Sequence, residues 1–105
     1  MIFHVADRSE WAAALAAGEY RWSTRDQTLD EVGFIHCSTA DQLAGVLHRF
    51  YADADDDALV VLHIDPERIE AEVRHEGAGD GAELFPHIYG PLLVAAVVHT
   101  SPVVR

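Results

Sequence analysis

No lysine occurs in this sequence; all seven basic residues are arginine. That excludes a Schiff-base lysine and the lysine of a phosphate-binding Walker loop. Cysteine is almost as scarce. Cys37 stands alone, which excludes an internal disulfide and a cysteine-rich zinc ribbon. No apolar run approaches the ~20 residues of a membrane helix; the longest clean one is LLVAAVV at 92–98. The opening MIFHVADRSE has no basic segment followed by an apolar one, so no secretory leader is expected. The chain reads as soluble and cytoplasmic, without a membrane partner. Positive charge is outweighed: 7 arginines face 18 acidic residues, a formal charge of −11. A field of that sign repels nucleic acid, which is not expected as a partner. Four of the acids lie in ADADDDA, residues 52–58. EF-hand spacing and its glycine are missing there, so the stretch reads as a solvated loop.

What is present is enough for one domain. Half of the 105 residues are hydrophobic, and a chain of this size buries roughly two-thirds of its unfolded surface. Ile2 to Ala6 alternates as a strand, with Ile2 and His4 on one face and Phe3 and Val5 on the other. Asp7 and Glu10 have the spacing of a reciprocal helix cap. The helix SEWAAALAAG follows, with Trp11, Ala14 and Leu15 on one face and Gly18 as its stop. EYRW is a short extended piece, and the polar residues 23–32 read as a loop. GFIHCS is a second strand, with Phe34, His36 and Ser38 on one face and Ile35 and Cys37 on the other. Thr39 and Asp41 suit a helix start. Leu43, Val46, Leu47 and Phe50 then form an amphipathic stripe expected in the core. LVVLHID, EVRHE, LFPHIYGP and AAVVHTS read as further strands, and GAGDG as a flexible turn.

Seven histidines invite a metal hypothesis, but no pair has HExxH spacing and no metal is expected. His48, beside Arg49, reads as solvated. His63, His75 and His99 read as strand residues satisfying local hydrogen bonds. Three others have more to say. His4 and His36 sit mid-strand, each just before a capped helix. His87 follows Pro86 in FPHIYGP, where two prolines and a glycine would hold a site rigid. The plain structural reading of that segment is a corner packed by Phe85 and Tyr89. Alternation turns Cys37 away from His36, which disfavours a Cys–His nucleophile pair and leaves Cys37 as a small buried hydrophobe. Ser38 lacks a Ser-His-Asp context and a GxSxG elbow.

The series IFHVA, W-x-x-A-L-A-x-G-E-Y, GFIHCST, LVVLHIDP and ELFPHIYGPL resembles domain-of-unknown-function family 952 over nearly the whole chain. Some members of that family are associated with glutathione S-transferase domains. More distantly, a strand histidine, a second strand His-x-Ser entering a helix, and an apolar strand ending in Ile-Asp resemble the NAD-using ADP-ribosyltransferase fold. The similarity is nearest its RNA 2′-phosphotransferase branch. The resemblance implies an α+β domain with two helices on a split, mostly antiparallel β-sheet that grips NAD in a cleft. His4 would match the first-strand histidine that holds a ribose hydroxyl. His36 would match the position beside the nicotinamide ribose, with Ser38 on its face. The third motif would fall within Glu83 to Tyr89, with either the glutamate Glu83 or an apolar residue such as Ile88 in place. Arg8 and Arg49 could meet the NAD diphosphate, and His87 and Tyr89 could contact the ligand. The acidity of the chain argues against an RNA substrate.

Three functions follow as expectations. The first is a transferase-like enzyme, or a degenerate relative, binding NAD or another small nucleotide-like ligand. The second is a non-catalytic ligand-binding or interaction module. The third is a metal-dependent protein using His36 and His87. The first requires His4 and His36 in one cleft. The sequence sets no oligomeric state.

Overall fold

The first strand, β1 (Ile2–Asp7), is buried on both faces, and its alternation divides the core in two. In the computed structural model, which describes residues 1–77 and 83–105, Ile2 and Ala6 enter one hydrophobic cluster and Val5 enters a second. Most of the turn expected at GAGDG lies outside the described residues. β1 pairs antiparallel with β6 (Leu59–Ile64), in register from Ile2↔Ile64 to Asp7↔Leu59. β6 alternates in step: Val60, Leu62 and Ile64 join the first cluster, Leu59 and Val61 the second. Strands buried on both faces read as continuous apolar runs, as LVVL does. β10 (Val97–Ser101) covers the other edge of β6.

Between β1 and β6 the chain builds its helices. In α1 (Arg8–Ala17), the Asp7 carboxylate accepts from the amides of Ser9 and Glu10. Gly18 ends the helix at φ 92°, a left-handed position that suits glycine. Trp11 and Ala14 pack on the first cluster, but Leu15 is exposed. α1 rests on the sheet through Ala14, which carries the next residue roughly 100° round the helix to solvent.

The polar stretch 23–32 is structured, contrary to the loop expected there. After β2 (Glu19–Tyr20), the strands β3 (Trp22–Thr24) and β4 (Gln27–Thr28) form a hairpin. Its tip holds Asp26 at φ 58°. A one-turn helix, α2 (Leu29–Val32), follows behind a capping box between Thr28 and Glu31. Only Leu29 of its four residues is buried, too little to show as periodicity.

β5 (Ile35–His36) leads through a 3-10 turn at Ala40–Gln42 into α3 (Leu43–Phe50). Val46 and Leu47 fill the second cluster with Leu43 against it. Phe50 does not continue this stripe inward; it is 50% exposed. It ends the helix outside the second cluster, with its ring beside His36 and the Arg49 guanidinium.

β7 (Glu72–Glu76) and β8 (Phe85–Tyr89) join β5 in a second antiparallel sheet, ordered β5-β8-β7. β9 (Leu92–Leu93) pairs with β2. Between β8 and β9, Gly90 packs so closely on Ala71 that a Cβ would sit 2.8 Å from the alanine methyl. A backbone bridge stitches the two three-stranded sheets together: Phe3 and Ser38 exchange both hydrogen bonds at 2.8 Å. Within the second sheet the Cys37 amide donates to the Pro86 carbonyl at 2.9 Å, extending the β5–β8 pairing. The domain is therefore α+β, with a split and antiparallel sheet as expected, and with a third, one-turn helix besides the two expected. No described helix is long and apolar enough to cross a membrane.

Candidate functional site

The second sheet has an apolar inner face and an outer face rich in rings. In β8, Pro86 and Ile88 point inward and are buried, while Phe85, His87 and Tyr89 point outward. The register places Ile35 beside Ile88 and His36 beside His87. On the far side it places Arg74 beside His87 and Glu76 beside Phe85. Strand alternation thus sorts one apolar and one polar-aromatic layer from the same three segments.

The outer layer forms one wall of a groove of about 620 Å³. Phe34 stacks on His87, with ring centroids 4.0 Å apart and planes at 13°. His36 lies 5.4 Å from His87 and 5.2 Å from Phe85. The end of α3 forms the opposite wall: the Phe50 ring stands 6.0 Å from His36. The Arg49 guanidinium lies 5.7 Å from the Phe85 ring. Gly77 and Glu83 complete the lip among the described residues.

A short hydrogen-bond chain lies along the floor. One Glu76 carboxylate oxygen accepts from the Tyr89 hydroxyl and from Nδ1 of His87, the latter at 2.9 Å. The Tyr89 and then the His87 contact hold the Glu76 carboxyl below its usual range. Arg74, paired with Glu72, covers the Tyr89 ring at 4.3 Å. Burial, then the nearby His87 and Arg49, push His36 down to about 4, so its ring is neutral at pH 7.

Of the residues expected from the sequence, His36, Arg49, Glu83, His87 and Tyr89 line this groove. His4, Ser38 and Arg8 do not. His4 is 3% exposed. Its Nδ1–H donates to the His36 carbonyl oxygen at 2.6 Å, which leaves Nε2 to accept from the Tyr20 hydroxyl at 2.8 Å. Burial above all lowers its pKa to about 4. The cleft expected between His4 and His36 is reduced to a void of about 10 Å³ that both border, room for a single water. Ser38 is buried in the bridge to Phe3. Arg8 starts α1 and donates through Nε to the Asp57 carbonyl. For the third motif, Ile88 is buried in the core and Glu83 faces the groove. Cys37 is buried behind His36 as alternation requires, and burial pushes its thiol far up. Among the described residues, no three histidine, cysteine or acidic side chains cluster in a way that could hold a metal.

Sequence reasoning missed Glu76 and Phe50 as groove residues, and Arg74 as the cover of the Tyr89 ring. The alternation of EVRHE does place Glu72, Arg74 and Glu76 on one face. Only the pairing of β7 with β8 brings that face to His87.

The family model described as "Protein of unknown function (DUF952)" matches residues 5–100. Among solved structures, the crystal structure of protein CC0527 from Caulobacter crescentus is similar, with 33% identity and a TM-score of 0.79. The match covers 96% of this chain and 83% of that one. The solution structure of CC0527 is similar too, at 30% identity and a TM-score of 0.73, covering 95% and 81% of the two chains. No curated protein matches the chain.

Proposed function

The chain belongs to the DUF952 family of proteins of unknown function, and we propose that it binds a small nucleotide-like ligand in the groove between α3 and the β5-β8-β7 sheet. NAD is the first such ligand to consider, by the resemblance to NAD-using proteins. The observation that carries the reading is the pairing of ring walls with a spare cation. Phe34, Phe50, Phe85 and Tyr89 supply flat surfaces on which a base can stack, each stack contributing about 1–3 kcal/mol. Arg49, unlike Arg21, Arg25, Arg68, Arg74 and Arg105, has no carboxylate partner among the described residues. Its Nε donates to the Gly45 carbonyl at 3.3 Å, and a guanidinium with no carboxylate partner beside aromatic rings suits a phosphate or diphosphate. The volume falls in the range of small-molecule sites.

Binding without turnover is favoured over transferase chemistry. The transferase reading asks His4 to hold a ribose hydroxyl. Both of its ring nitrogens are engaged, with Tyr20 and with the His36 carbonyl. The protein then resembles a degenerate relative of the NAD-using fold. Thermal unfolding with AMP, ADP and NAD tests the reading. A ligand at 100 times its dissociation constant should stabilise the protein by about 2.7 kcal/mol. Phe34→Ala and Arg49→Gln should each abolish the shift. No shift with any of the three, or a shift that survives both substitutions, overturns the proposal. Release of nicotinamide from NAD would instead support the transferase.

A further inference from the structure

We propose that the groove selects ligands whose heterocycle donates a hydrogen bond from an exocyclic amino group, and that Nε2 of His87 receives it. This rests on the nucleotide-like reading above and deepens it.

The argument begins with Glu76. An ionised carboxylate only accepts hydrogen bonds, and Glu76 accepts from both Tyr89 and His87. His87 must therefore carry a proton on Nδ1, and the proposal concerns the ring in its neutral form. A neutral imidazole with Nδ1 protonated has a bare lone pair on Nε2. That nitrogen has no hydrogen-bond partner among the described residues, while the ring it belongs to forms part of the groove wall. The stack on Phe34 holds the ring in place.

The neighbours cannot reverse this polarity. The Tyr89 hydroxyl is committed to Glu76. His36 is neutral and brings one donor and one acceptor whichever tautomer it adopts. Arg49 is the groove's cation, at the α3 wall, where it meets the phosphate. A keto oxygen facing Nε2 would set lone pair against lone pair and leave a sheltered acceptor unsatisfied. An amino group satisfies it. Unpaired polar groups in a site penalise the wrong ligand more than extra contacts reward the right one. 6-Aminopurine nucleotides are the class that fits.

Three nucleotides of nearly equal size separate the possibilities: AMP, purine riboside 5′-monophosphate, which lacks only the amino group, and IMP, which has a keto group in its place. Titration calorimetry at pH 7.5 is expected to show both analogues binding about tenfold more weakly than AMP. In His87→Phe, which retains a ring to stack on Phe34, the gap between AMP and purine riboside 5′-monophosphate should close. Nitrogen-15 spectra of the native protein should show His87 protonated at Nδ1 alone, a readout that needs no variant. Equal binding of AMP and the unsubstituted purine, a preference for IMP, or an imidazolium at His87 overturns the selectivity while leaving the groove a nucleotide site. Failure of all three to bind overturns the nucleotide reading itself.

Discussion

The Nδ1 proton of His4 lies on the backbone carbonyl oxygen of His36, at 2.6 Å. The two histidines are thus joined in series: one is buried in the first core cluster's side of β1, and the strand it grips carries the other to the groove. His4 holds the strand, and His36 faces the groove.

His4→Ala should therefore destabilise the protein by about 3 kcal/mol, through the cavity and the unpaired Tyr20 hydroxyl and His36 carbonyl. Denaturant titration measures it. A loss below about 1 kcal/mol would show that the bond to His36 does not support the fold. A stable His4→Ala that lost nucleotide binding would return His4 to the site.

Acid should unfold the protein earlier than its carboxylates alone require. His4 titrates at about 4 in the folded state and near 6.5 in the unfolded one. Below pH 6.5 the unfolded chain binds the proton that the folded chain refuses. Stability therefore falls with pH from about 6.5 to 4, by roughly 3 kcal/mol for this group. His36 acts in the same direction. Glu10 opposes them: burial, then Asp7 and Asp26, raise its carboxyl to about 7, so folding gains as pH drops from 7 towards 4.5. Urea midpoints at pH 7 and pH 5 should show a steeper decline in Glu10→Gln than in the native chain. An identical decline in both would contradict the raised Glu10 pKa.

Phe50→Ala separates packing from binding. Its ring is half exposed, so the loss in stability should stay under about 1 kcal/mol. The same change removes one wall facing His36, and nucleotide affinity should fall about tenfold. A cost of several kcal/mol with unchanged binding would return Phe50 to the core.

The elements with local signals could be read from the sequence. Asp7 and Gly18 bound α1, and EVRHE is β7 to the residue. Alternation correctly put Cys37 in the core and His36 outside it. Two kinds of feature escaped. Polarity hid α2, although Thr28 and Glu31 have the spacing of a capping box. Long-range pairing hid the rest of the groove. Glu76 reaches His87 only because β7 lies beside β8, and no periodicity within either strand states that register. Arg8 misled for the converse reason. It is close to His4 in sequence, but α1 begins at once and carries it to Asp57.

The paired amides of Phe3 and Ser38 also constrain the order in which the molecule can assemble. They close a seam between segments far apart along the chain, and such closures come late and slowly. β8 (Phe85–Tyr89) follows about fifty residues after β5, so during synthesis the groove waits until that strand has emerged. Until then the ring-bearing outer face has no partner strand and no floor. The N-terminal strand, which contributes no groove-lining side chain, thereby acts as the clasp on which the groove's shape depends.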